Sequence, residues 1–138
     1  MRHEIIQRFL AEETAVGPHQ GTIPDAIAHA LRALMAQLQP LVGAPGARAL
    51  YARSLHLTRA SCGWPPEMAQ GPLGELPALL HGDLSVRTAH DARQAGESLL
   101  LTFVDLLISL IGEPLTYRLL HSAWGHPGAD ELLQEKAQ

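Results

Sequence analysis

The chain has 138 residues, 46% of them hydrophobic and only 4% aromatic, with a formal net charge of −4. That length suits one domain with its own core, the apolar share excludes disorder, and a core short of aromatics points to helices rather than sheets. A net acidic chain is no general nucleic-acid binder, and the lone Cys62 can neither close an internal disulfide nor complete a zinc motif.

Residues 3–13 place Ile5, Ile6, Phe9 and Leu10 on one face of a short amphipathic helix. A helix this short is marginal alone, so it must dock on something. Gly17, Pro18 and Gly21 break the periodicity that follows and make a linker. Residues 1–16 are therefore expected to form a tethered arm. It either folds back onto its own chain or crosses to a second copy as a dimer arm.

Thr22 and Asp25 have the spacing of a capping box, and Pro24 suits a first turn. The helix they open runs Ile23, Ile27, Leu31, Leu34, Leu38 and Leu41 along a single seam. GAPG at 43–46 interrupts it, and Pro45 begins a second helix reaching residue 62. One half of that helix carries Ala47, Leu50, Tyr51, Ser54, Leu55, Leu57, Thr58, Ser61 and Cys62. The other half carries Arg48, Arg53, His56 and Arg59. The small residues Ala47, Ser54 and Ser61 recur every seven positions, which lets a neighbouring helix approach closely. Gly63, followed by Pro65 and Pro66, stops the helix.

Residues 63–85 hold four prolines and four glycines. A structureless crossing of that length is uncommon, so a short connector helix is predicted near 73–81, lidding one end of the bundle. Thr88 with Asp91 opens the next helix, 89–111. Within it, Thr102, Asp105 and Ser109 form one narrow polar stripe on the otherwise apolar run Leu99 to Ile111. So wide an apolar arc predicts a helix surrounded by neighbours, entering from the surface and ending deep. The apolar run itself is shorter than the ~20 residues a bilayer requires, so a membrane span is not expected. Asp105 should either face solvent or find a hydrogen-bond partner, such as Arg118 on the following helix. Gly112 ends the central helix and Glu113 and Pro114 begin a last one, with Leu115, Leu119, Leu120, Ala123 and Trp124 on its apolar side. Gly125, Pro127 and Gly128 close it, and 126–138 is a charged tail.

These elements add up to an all-α, single-domain bundle of four to five main helices plus a short connector, with 89–111 as its central buried helix. The organisation is an arm over 1–16, the bundle over 22–125 and the tail over 126–138.

No GxSxG, GxGxxG or Walker-type phosphate loop occurs. The eight histidines stand at 3, 19, 29, 56, 81, 90, 121 and 126, with no two spaced three or four apart and no Glu-x-x-His pair. His81 with Asp83 comes nearest to a ligand pair. No enzymatic activity, metal or cofactor is therefore expected. The strongest local signal is the Arg48, Arg53, His56, Arg59 face, which suits phosphate or an acidic strip on a partner. The same face would equally serve as solvated surface paired with Glu67 or the acidic tail.

Within that face, His56-Leu-Thr-Arg59-Ala60-Ser61 resembles the phosphorylatable stretch of histidine phosphotransfer domains. In those helical bundles of similar size, an exposed His precedes a basic residue by three and a small one by four. Arg59 and Ala60 stand for the usual Lys and Gly, and Thr58 sits where an apolar residue is common. The resemblance covers six residues and implies His56 as phosphoacceptor, with Arg59 holding the phosphoryl oxygens.

The leading expectation is a non-catalytic protein-binding helical module, a homodimeric regulator or adaptor. A cytoplasmic location is expected, because the first residues lack the order of a signal peptide. The alternatives are a phosphotransfer signalling protein using His56, and a small-molecule sensor with an apolar bundle cavity.

Overall fold

Caps and chain breaks decide where each helix starts and stops. The computed structural model describes residues 2–14 and 22–125. The expected linker, apart from its two ends, and the charged tail lie outside the described residues. Five α-helices follow in order: α1 (Arg2–Glu13), α2 (Ile23–Cys62), α3 (Leu76–Ser85), α4 (Ala89–Ile111) and α5 (Glu113–Trp124). Two 3-10 turns, Pro66–Ala69 and Leu73–Glu75, precede α3. No strand occurs among the described residues, so the fold is the all-α bundle that the aromatic-poor composition implied.

The capping box forms at the head of α2. Thr22 Oγ1 accepts from the Asp25 N–H at 3.3 Å, and Asp25 Oδ2 accepts from the Thr22 N–H at 3.4 Å. Thr88 Oγ1 likewise accepts from the Asp91 N–H at 3.1 Å to start α4. α2 breaks at Gly43, with φ 77° and ψ 167°, a backbone state that a residue with a Cβ rarely adopts. It is thus two arms, 23–42 and 44–62, as GAPG required. The second arm ends with the Gly63 N–H on the Arg59 carbonyl at 2.8 Å.

The first arm of α2 is the hub of the molecule. It buries Ala26, Ile27, Ala28, Ala30, Leu31, Leu34, Met35 and Leu38, a wider face than the single seam predicted, and α2 touches every other helix. α4 packs on all four others and buries Ala92, Ala95, Gly96, Leu99, Leu100, Phe103, Val104 and Leu107. The two helices meet most tightly at Gly96, where an added Cβ would stand 2.6 Å from both Cγ1 and Cδ1 of Ile27.

Two expectations are corrected here. α4 does not end deep: its middle is buried, while Ser109 is exposed and Leu110 is 57% exposed, because the helix outruns its neighbours. Leu41 (52% exposed) and Leu57 (48% exposed) also leave the faces assigned to them, Leu41 because the first arm breaks beside it. The full 23-residue α4 is long and apolar enough to cross a membrane, so the length argument holds only for its apolar run. What makes it a core helix is its packing, since buried helices of globular bundles pass the same test.

α1 lies on its own chain. Ile6 and Leu10 are fully buried, Phe9 nearly so, and Ile5 packs partly against the same core. Arg2 at one end forms an ion pair with Asp105 of α4. At the other end Glu13 Oε1 lies 3.2 Å from His29 Nδ1 of α2. Asp105 therefore pairs with Arg2 and not with Arg118, because the start of α1 reaches the polar stripe of α4 at this residue.

The connector forms later than predicted, as α3, and lies along α2. His81 and Asp83 do not meet. His81 Nε2 sits 2.7 Å from Asp25 Oδ1, whereas Asp83 Oδ2 accepts from Arg87 Nε at 2.8 Å. Arg87 also donates through Nη2 to the Cys62 carbonyl at 2.5 Å, and its guanidinium lies 4.8 Å from the Trp64 ring centroid. One cation thus ties both ends of the Pro/Gly-rich crossing to the end of α2.

Candidate functional site

The second arm of α2 carries the residues singled out from the sequence. Its buried side is set by Ala47, Tyr51, Ser54, Leu55, Thr58 and Cys62, which recur every three or four positions and face the bundle. Ser54 and Thr58 on that side are satisfied along the helix, whereas the buried Tyr51 hydroxyl has no partner among the described residues. The Ser54 hydroxyl donates to the Leu50 carbonyl at 2.9 Å, and that of Thr58 to the Ser54 carbonyl at 2.8 Å. The Trp64 indole N–H then donates to Thr58 Oγ1 at 2.8 Å, which folds the chain after Gly63 back under the arm. Of the small-residue series, Ala47 and Ser54 are buried and Ser61 is exposed.

With that side fixed, Arg48, Arg53, His56 and Arg59 must face outward, and all four are exposed. At 100° per residue they occupy an arc of about 140°, and Arg48 and Arg59 stand about 16 Å apart along the axis. None makes an ion pair or hydrogen bond among the described residues, and Glu67 does not approach them. The acidic tail, their other expected partner, lies outside the described residues. Beside the stripe is a shallow cleft of about 150 Å³, bordered by His56, Arg59, Trp64, Pro65 and Pro66. Three guanidiniums and an imidazole thus stand on one rigid arm beside a small apolar recess. Such an array can bind carboxylates or phosphates through forked N–H pairs.

The other predicted residues fall elsewhere. Ile5, Ile6, Phe9 and Leu10, the expected dimer arm, are applied to the core of their own chain. Cys62 is buried on the inner side of the same arm, its Sγ 3.9 Å from the Ala95 carbonyl, and does not join His56. No group of three or more His, Cys, Asp or Glu side chains with metal-site proximity occurs among the described residues.

The sequence reading missed two features. One is a cleft of about 540 Å³ between the start of α1, the end of α2 and α4, lined by His3, Ser61, Cys62, Asp91 and Gln94 among others. The other is a groove of about 380 Å³ between α1 and α5, whose walls include Phe9, Tyr117 and Trp124. Spacing on each helix carried a signal for the groove: Glu4, Arg8 and Glu12 recur every four residues, and Tyr117, Leu120 and Trp124 share one side. Only the packing of the chain's first helix on its last brings the two sets together.

Compared with protein-family models, with curated proteins and with solved structures, the chain finds no match in any of the three. Function is therefore argued from the site alone.

Proposed function

We propose that the chain is a non-catalytic protein-binding helical module, a regulator or adaptor, that docks an acidic segment of its partner on the arginine stripe of α2. The observation that carries this reading is that Arg48, Arg53, His56 and Arg59 stand exposed without a counter-charge among the described residues, on a chain that is acidic overall. Packing of the opposite side of the arm spaces the backbone positions of the cations before a partner arrives, so binding has only the side chains left to order. The recess at Trp64 and the exposed Leu57 offer apolar contact at the edge of the stripe. Exposed charge contacts govern encounter rate and specificity more than affinity, so the association should weaken as salt rises.

The partner in this reading includes a second copy of the chain. Since the arm residues Ile5, Ile6, Phe9 and Leu10 pack on their own core, a homodimer would form through the stripe or by exchange of α1 between copies. The test compares proteins captured by the wild-type chain with those captured by an Arg48→Glu/Arg53→Glu/Arg59→Glu variant of equal thermal stability. Sedimentation of both at micromolar concentration is run alongside. Partners, or dimers, lost on charge reversal support the reading. Identical partner sets and an unchanged sedimentation coefficient oppose it.

A second reading, phosphotransfer through His56, is favoured by the exposure of its imidazole and by Arg59 one turn on, on the wall of the same recess. Incubation with a phosphorylated receiver domain should then give an acid-labile label that His56→Gln lacks. A chain that stays unlabelled removes this reading and leaves the first intact.

A further inference from the structure

The groove between α1 and α5 has no part in that docking surface. Its volume, about 380 Å³, lies in the range of small-ligand sites. Its wall is aromatic and held in place before any ligand arrives. Phe9 and Trp124 stack with ring centroids 5.3 Å apart and planes 28° from parallel. The Trp124 indole N–H donates to the Ala30 carbonyl at 3.0 Å, which pins the ring to α2. Tyr117, one helical face along from Trp124, supplies a third ring.

The rim comes from α1, where Glu4, Arg8 and Glu12 follow one another about one turn apart. All three are exposed, and none has an ion pair or hydrogen bond among the described residues. His121 completes the polar edge from α5. Two carboxylates and one guanidinium therefore stand over three rings. Aromatic faces attract cations through their quadrupole. Glu4 and Glu12 stand about 12 Å apart along α1 with Arg8 between them. An ammonium group would therefore meet one carboxylate and the ring faces under a rim that is net negative, whereas an anion would find one arginine flanked by two repelling glutamates.

We propose that this groove binds a hydrophobic organic cation. The ammonium group lies by one of the two rim carboxylates, Glu4 or Glu12, and the aryl or short alkyl body lies against Phe9, Tyr117 and Trp124. This surface site differs from the interior bundle cavity that the sequence suggested, and it stands or falls independently of the arginine stripe.

The test uses the full chain, titrated at low salt with benzyltrimethylammonium and separately with 3-phenylpropionate, an aryl body of opposite charge. Calorimetry gives the affinity, and the two tryptophan indole N–H resonances report the place. The cation is expected to saturate with a Kd of about 1 mM or tighter and to shift the Trp124 resonance while leaving that of Trp64 unmoved. A Glu4→Gln/Glu12→Gln variant, altered only at exposed positions, should bind it at least about tenfold more weakly, and Arg8→Gln should bind it more tightly. Absence of saturation, as a groove covered by a second copy would give, overturns the proposal. So does an affinity indifferent to the two glutamates. Preferred binding of phenylpropionate, lost in Arg8→Gln, would make this an anion site and also overturn it.

Discussion

Replacing Gly96 by Ala is expected to destabilise the bundle in the wild-type background and to stabilise it once Ile27 is shortened. On helix propensity alone, Gly→Ala in a helix interior gains about 1 kcal/mol. Here the new Cβ would lie 2.6 Å from both Cγ1 and Cδ1 of Ile27, on a side chain that is fully buried. Cγ1 is part of the stem, so the contact cannot be relieved by turning a chain end aside. Overpacking of this kind costs about 1–3 kcal/mol, and the separation argues for the upper figure. The net loss is then about 2 kcal/mol, or about 6–10 °C in Tm for a chain of this size. Ile27→Ala itself should cost about 2–5 kcal/mol through lost contacts and a cavity. It also removes every atom that the added Cβ would strike, so Gly96→Ala in that background should recover its gain of about 1 kcal/mol. The coupling between the sites is therefore about 3 kcal/mol, with a reversal of sign, read from urea unfolding of the four proteins in a double-mutant cycle. If Gly96→Ala destabilises both backgrounds by the same amount, the close approach of α2 and α4 at this point is wrong.

Three further perturbations test other parts of the structure. Tyr51 is fully buried, its hydroxyl has no partner among the described residues, and burial first, with the Asp83 charge second, pushes its pKa well above the usual tyrosine range. Tyr51→Phe should therefore be neutral or stabilising by up to about 1 kcal/mol, and a clear loss in urea midpoint would mean that the hydroxyl is bonded. Thr58→Val should cost about 1–3 kcal/mol, because it strands the Trp64 indole N–H inside the protein; a loss below the error of the unfolding fit would count against that hydrogen bond. The hydrogen bond with His81, and after it those with Thr22, hold the Asp25 carboxyl below its ordinary 3.8. A depressed folded pKa contributes stability that is present above the unfolded value and lost as pH falls through the folded one, so this loss belongs below about pH 4. Asp25→Asn should flatten the fall of Tm in that window, and parallel slopes for the two proteins would contradict it.

Local signals were readable wherever backbone chemistry acts over three or four residues. The Thr22 box, the Thr88 cap, the break at Gly43 and the turn at Gly112 all follow from residue types whose effect is confined to their neighbours. Face assignments held where a helix has company along its whole length. They failed at Leu41, Leu57 and Leu110, where periodicity asks for burial but none of the described residues covers the side chain. Partnerships between distant residues were out of reach for the same reason. Nothing in the periodicity of α4 distinguishes Arg2 from Arg118 as the mate of Asp105, because that depends on where α1 crosses. Gly96 reads as a weak point within a helix, and only the presence of Ile27 opposite makes it necessary. The arginine stripe could be seen because one helix carries it whole. The groove is shared by helices more than a hundred residues apart in sequence, and so it could not.

The ring stack of Phe9 on Trp124 joins α1 to α5, and this has a bearing on the order in which the molecule folds. Ile6, Phe9 and Leu10 precede in the chain the surfaces of α4 and α5 that help to cover them, and domains begin to fold during synthesis. Until those helices are in place, the apolar face of α1 has only α2 to lie on.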